Sequence, residues 1–571
     1  MELTDLLKTA RGDQPADLAL RGGRVVNVFT GEIIEADVAI AGGRIAGVGL
    51  DYEAREEVDV SGLYVCPGLI DSHVHIESSM VVPFQFARAV VPRGTTTVVA
   101  DPHEVANVAG KAGIHYMLNC SEGIPLQVLV ALPSCVPATE MGTAGAELTA
   151  EDLASLADLP RVAGLAEFMN VPGAVLGLPG ALQKLEAFQD RIIDGHAPGV
   201  TGKWLQAYVA AGPGSDHEST TADEMREKLR LGMYVFVREA TGAKNLRDLL
   251  PAITEANSRR CGFSTDDRHP ADLMEEGHVD YLLRLAVSEG LDPVTAMQMA
   301  TLNASDWFGL RDRGAVAPGR RADLAVFADL KEFRARYVLS EGRVVARGGE
   351  AVGEWHAPEV DDSAVRSSVQ VDWDSTDLEI PVQGERVRVI GVVPDQVVTE
   401  QLVDVPKVVD GAAVADPDRD LLKLAVIERH RATGNVGLGF VRGFGLKRGA
   451  IAGSVAHDAH NLSVAGCDDT SMMTAAHAIE AMGGGLVAAA GDEVLASLPL
   501  PIAGLMSDQP LEAVQRQMEQ LVSAAHDLGS ELHDPYMALG FLALEVIPAL
   551  KLTDQGLVDV DKFDFVPLWV D

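Results

Sequence analysis

The chain has 571 residues, enough for several domains and a large core. Its formal net charge is −38, from 84 Asp and Glu against 46 Lys and Arg, which repels nucleic acid and anionic membranes and argues against both as partners. Five cysteines without a C-x-x-C pair fit reduced thiols in a cytoplasmic protein; "MELTDLLKTARGD" lacks the pattern of a signal peptide, and no uncharged apolar run is long enough to span a bilayer.

Residues 17–50, "DLALRGGRVVNVFTGEIIEADVAIAGGRIAGVGL", alternate apolar and polar positions between glycine-marked turns, which predicts short strands. The same texture returns after residue 314, in "GAVAPGRRADLAVFADLKEFRARYVLSEGRVVARGG". The two segments, 1–65 and 310–352, are expected to form one small β-sandwich domain with the middle of the chain inserted between them.

The middle section, 66–309, repeats another rhythm: apolar strand-like runs end in polar or ionisable residues, and helical stretches follow. The runs end near His73, His103, Pro133, Glu167, His196, His217, Arg238 and Asp266, at steps of 30, 30, 34, 29, 21, 21 and 28 residues. Regular alternation of this kind implies parallel strands with crossover helices, and eight units predict an α/β fold, a (β/α)8 TIM barrel. Residues 353–369 begin an acidic, proline-containing linker, and 370–571 mix β-like and helical runs, which predicts an additional C-terminal α+β domain.

In "DSHVHIESS" His73 and His75 lie two residues apart, so in a strand both imidazoles face one side. A barrel would gather them with Glu167, His196, His217 and Asp266 at one cavity. Imidazole nitrogen and carboxylate oxygen suit divalent first-row metals such as Zn, Mn or Fe, and six such ligands exceed what one tetrahedral ion needs; they suit two ions sharing a carboxylate. Any one of these residues alone is more often structural than a ligand. Six on five strand ends make coincidence a poor explanation.

"GLIDSHVHIESS", "GLAEFMN", "DGHAPG", "SDHEST" and "STDDRHP" resemble the amidohydrolase superfamily of metal-dependent hydrolases and, within it, the bacterial adenine deaminases. The resemblance extends to "GSVAHDAHNLSVAGCDDTSM", similar to that family's own C-terminal domain. H-x-H marks only the superfamily; "EFMN", "STDDRHP" and the C-terminal motif are more specific. Binuclear cyclic amidases of the superfamily bridge their metals with a carbamylated lysine on the fourth strand, where this chain has Glu167.

The resemblance implies hydrolysis of adenine to hypoxanthine and ammonia by a metal-activated hydroxide, in purine salvage. It implies Asp266 as the group that takes the proton from the attacking water and returns it to the leaving amine. The acid that protonates the purine ring is open. His103 and Glu239 are candidates by position, and His103 serves equally well as an orienter of a metal ligand. Arg238 is expected to pair with Glu239 or a helix end. Asp101 and Asp267 are read as holders of ligand histidines or as local turns. His457, Asp458 and His460 are either a packed turn or a contribution to the active site; an independent metal site there has less support. The other histidines are ordinary by pattern, apart from His269 beside Asp266. Two rivals remain: an amidohydrolase acting on a cyclic amide or another aminated heterocycle, and a non-catalytic scaffold. A homo-oligomer is expected, of unspecified copy number.

Overall fold

The computed structural model describes residues 2–49, 51–394 and 396–570. The two β-rich segments meet in one nine-stranded sheet. The junction is the antiparallel pair Tyr64–Pro67 with Leu324–Phe327, where Val65 faces Val326 and Cys66 faces Ala325. Strand Ala16–Asn27 pairs antiparallel with Glu32–Ala41 and parallel with both Ala54–Asp59 and Tyr64–Pro67. Leu20, Val25, Val38 and Ile45 from the first segment share a buried cluster with Leu324, Val326 and Leu339 from the second. A short helix, Leu3–Ala10, precedes the sheet, where the sequence pattern gives no sign of one; its Leu6 is buried against Ala16, Ala39 and Ala46.

Between the segments runs the predicted alternation. Strands Ile192–Gly195, Val162–Phe168, Gln127–Leu132, Thr95–Ala100 and Leu69–His75 lie side by side in that order, all parallel. The pair Asp266–Asp267 closes the far edge of this sheet by pairing parallel with Val74 and His75. A second parallel sheet holds Ser215–Asp216, Tyr234–Arg238 and Cys261–Ser264. Leu69–His75 and Thr95–Ala100 are buried at every residue, as expected for parallel strands covered on both faces. The polar residues collect at the C-terminal strand ends, where side chains can face a common space.

The C-terminal region forms another nine-stranded sheet, with Leu422–Ile427 near its centre between Val436–Arg442 and Leu462–Gly466. Helix Asp469–Ala481 starts with its Asp468 cap accepting from the Ser471 amide, and it buries Met472, Ala475, Ala476 and Ile479. Residues 139–143 tie the inserted region to this one. Thr143 N and Oγ1 donate to Asp554 at 2.8 and 2.7 Å, and Thr139 Oγ1 donates to Glu545 at 2.6 Å. Gly437 permits the close approach of the chain here, since a Cβ would stand 1.8 Å from the Thr553 carbonyl oxygen. All five cysteines are free. Among the described residues, no helix is long and apolar enough to cross a membrane.

Candidate active site

The alternation of a strand puts His73 and His75 on one side, and their Nε2 atoms stand 3.1 Å apart. His75 Nδ1 lies 3.0 Å from the Asp101 carbonyl oxygen. A carbonyl only accepts, so Nδ1 is the donor there and Nε2 is the nitrogen aimed inward. Asp266 Oδ1 lies 3.2 Å from His75 Nε2 and 3.5 Å from His73 Nε2. Asp266 sits at φ 55°, a left-handed conformation uncommon for a residue with a side chain and concentrated at functional sites.

Glu167 ends its strand between two groups of rings. Its Oε1 lies 3.5 Å from His75 Nε2 and 3.3 Å from His103 Nδ1. Its Oε2 lies 2.5 Å from His196 Nδ1 and 3.2 Å from His217 Nε2. His217 Nε2 is buried and makes no hydrogen bond in that geometry. Two buried imidazole nitrogens pointing at each other, an unbonded third and two converging carboxylates form a donor set that fits divalent cations. His196 and His217 are held from behind. Tyr208 Oη accepts from the His196 amide at 3.0 Å and donates to the Phe168 carbonyl at 2.6 Å. Buried Asp216 accepts from the amides of Ala197 and Ser219 and pairs with the ammonium of buried Lys228 at 2.8 Å.

Burial opposes the charge on Asp266, but the hydrogen bonds with His73 and His75 and the charge of Arg238 hold its carboxyl well below the usual range. Glu167 is likewise held low against burial, chiefly by His196. Burial lowers His217, and Glu167, Asp266 and Glu218 more than reverse it, to about 9.

All six residues predicted as ligands therefore come together. His103 stands beside them, with Nδ1 3.3 Å from Asp101 Oδ2. Asp101 thus supports two rings, and Asp267 accepts from Ser78 Oγ. Arg238 corrects one expectation: it pairs with Glu218 and, at 3.0 Å, with Asp266 Oδ2, not with Glu239 or a helix end. Glu239 corrects another. Successive side chains of a strand point to opposite faces, so with Arg238 facing the cluster, Glu239 faces away, and its Oε2 accepts from the Leu246 amide at 3.1 Å.

Two residues of the site escaped the sequence. Glu218 follows His217 directly and lies 3.7 Å from its Nε2; adjacency was the available signal. Glu104 occupies the first turn of helix His103–Cys120, where an acidic residue ordinarily complements the helix dipole. It is buried instead, 3.4 Å from His103 Nε2, and bonded to His457 Nδ1 at 2.7 Å and to His460 Nε2. The C-terminal motif thus reaches the site. His278 has a structural place, 3.0 Å from Asp71 behind the first strand.

Parallel strands with crossover helices, and imidazoles and carboxylates converging at the strand ends, define a metal-dependent hydrolase, and residues 64–345 match the amidohydrolase family. Residues 396–564 match the adenine deaminase C-terminal domain. The chain is 51% identical over 569 residues to the adenine deaminase of Desulfatibacillum aliphaticivorans, covering 99% of both chains. It is 49% identical over 575 residues to that of Methanothrix thermoacetophila, covering 100% of both. Among solved structures, the zinc complex of atrazine chlorohydrolase TrzN from Arthrobacter aurescens TC1 is similar at 18% identity and a TM-score of 0.45, over 59% of this chain and 96% of that one. The chain belongs to the adenine deaminase family.

Proposed function

We propose that this protein hydrolyses adenine to hypoxanthine and ammonia at a pair of divalent cations held by His73, His75, Glu167, His196, His217 and Asp266. The observation that carries the reading is the division of Glu167, whose two oxygens face separate sets of histidines. A shared carboxylate would serve both cations, with His73, His75 and Asp266 on one side and His196 and His217 on the other. The ligand types suit Mn, Fe or Zn. Bound there, such ions lower the pKa of water from about 15.7 to about 7.

The protein's own groups do the rest. Asp266, kept ionised beside Arg238, takes the proton of the attacking water as it adds to C6 and later delivers it to the departing amine. The Asp101 carbonyl fixes the tautomer of His75. No lysine stands on the strand Val162–Phe168 to be carbamylated, which disfavours the cyclic-amidase alternative.

The two parallel sheets are read as one (β/α)8 barrel over 66–309. The Gly214 amide donates to the Ile193 carbonyl at 3.0 Å across one gap, and Asp266–Asp267 pairs with Val74–His75 across the other. Segments 1–65 and 310–352 are read as a β-sandwich around their shared cluster, and 370–571 as the C-terminal domain. Metal analysis of the purified protein, with ammonia release from adenine before and after chelation, tests the reading. Two metal equivalents and chelator-sensitive deamination are expected; full turnover after complete metal removal overturns it.

A further inference from the structure

The residues placed above leave one chemical role unfilled. Addition of water at C6 drives the C6=N1 electron pair onto N1, which needs a proton; Glu239 faces away from the cluster, and both ring nitrogens of His103 are already turned to carboxylates, Nδ1 to Asp101 and Glu167 at 3.3 Å and Nε2 to Glu104 at 3.4 Å. Glu104 and the "AHDAHN" turn stand beyond His103, where two segments far apart in sequence bring together two buried ionisable side chains, Glu104 and His460, and the partly exposed His457. The hydrogen-bond pattern assigns their protons. The Ala456 amide donates to His460 Nδ1 at 3.2 Å, so His460 Nδ1 is unprotonated and Nε2 carries the hydrogen it gives to Glu104. That nitrogen has no lone pair for a cation, which argues against a third metal in the group. The other carboxylate oxygen receives His457 Nδ1–H at 2.7 Å. Glu104 is thus a carboxylate held by two imidazoles, and His457 is an imidazole oriented by a carboxylate.

His457 has its outer nitrogen left over. Among the described residues, Nε2 makes no hydrogen bond, and the side chain is 14% exposed whereas those of Glu104 and His460 are 3% and 1%. Its ring stacks on Phe541, with centroids 4.8 Å apart and planes within 13°. Phe541 lines a cavity of about 490 Å³ between the C-terminal region and the 241–272 loops, together with Thr241, His269, Asp534 and Met537. Gly540 anchors the backbone, accepting from the His457 amide at 3.0 Å; a Cβ there would stand 2.9 Å from the Val455 carbonyl oxygen. From Glu167 the contacts run through His103 at 3.3 Å and Glu104 at 3.4 Å to His457.

We propose that His457 is a catalytic residue of the deamination, donating the proton from its Nε2 to N1 of the purine, with Glu104 as its positioning residue. This rests on the metal-site reading above. In the first step the water oxygen bonds to C6, one water proton goes to Asp266, the C6=N1 pair moves to N1, and N1 takes the His457 proton. In the second, Asp266 passes its proton to the amino nitrogen, the C6–N bond breaks and ammonia leaves. The hydroxyl proton of the adduct goes to solvent as C6=O forms, and solvent reprotonates His457. Adenine and water are converted to hypoxanthine and ammonia with no other reagent. Burial disfavours the imidazolium, and Glu104, more than Asp267 and Asp458, pushes it up to about 9, so it is the protonated donor at neutral pH. The groups facing it are Glu104, Asp267, Asp458 and His460.

The test is His457→Asn, which keeps a donor for Glu104 and removes the outer nitrogen, measured in the full metal-loaded protein. The expected result is a 10²- to 10⁴-fold loss in kcat, with KM changed only a few-fold and metal content unchanged. The alkaline limb of the wild-type kcat profile should vanish in this variant, and Glu104→Gln should move that limb to lower pH. A merely structural turn would leave the limb in place in both variants, and that result overturns the proposal; so does wild-type kcat in His457→Asn. Loss of metal together with activity also overturns it, by making His457 a support of the metal centre. Where His457→Asn does not fold, the direction of the limb in Glu104→Gln decides. Chelation of the wild-type protein tests the metal reading separately: retained activity there defeats that reading while the limb still reports on His457.

Discussion

Replacing Asp266 by asparagine separates its two tasks, holding a cation and carrying a proton. The side chain keeps its size, and an amide oxygen can still stand 3.2 and 3.5 Å from the Nε2 atoms of His75 and His73. The amide nitrogen then faces Arg238 Nη1, which now lies 3.0 Å from a carboxylate oxygen, so donor meets donor. One charge-assisted hydrogen bond is lost, worth roughly 1.5–3 kcal/mol, but Arg238 keeps Glu218 and is not left unpaired. The fold and most of the metal should survive. Turnover should not, because an amide has no proton-accepting role near neutral pH. Removing a general acid–base group costs about 10²- to 10⁴-fold, or roughly 3–5 kcal/mol of barrier. Steady-state ammonia release from adenine, with metal content measured on the same sample, reads both effects. Turnover within a few-fold of wild type at equal metal content would remove Asp266 from the proton transfer.

Glu167→Gln should lower metal content towards one ion per chain or fewer, because an amide offers one acceptor oxygen where the carboxylate now faces both histidine sets; two tightly retained ions would refute the bridge. Adenine should be turned over much faster than adenosine, and dihydroorotate not at all, in a side-by-side assay at equal concentration; turnover of a cyclic amide without adenine would restore the amidase alternative. Buried Lys551 donates to the carbonyls of Val397 and Phe541 at 2.8 Å, and burial lowers its pKa from 10.5 to about 7, against the charge of Glu545. Between those values the unfolded chain holds a proton that the folded chain has lost, so this residue makes stability rise with pH across that window. Denaturation midpoints of Lys551→Met should rise less steeply there than those of wild type, and parallel slopes would count against the assignment.

The sequence by itself determined the parts that depend on local spacing. Burial on both faces makes a parallel strand an apolar run, so the ionisable residues that interrupt each run, His73, Glu167, His196 and Asp266, could be read as marking the strand ends from pattern alone, although His73 and Glu167 lie just inside theirs. The two-residue period of a strand is enough to put His73 and His75 on one side. The same period carried the information that separates Arg238 from Glu239, but not which of the two faces inward, since a strand end can enter the site in either register. The tertiary structure decided that, and it decided the partners of Arg238. It alone turned Glu104 from a helix-start acid into a buried carboxylate, because its bond to His457 spans 353 positions of the chain. Contacts of that separation exist only once the C-terminal region has docked, and no local periodicity records them.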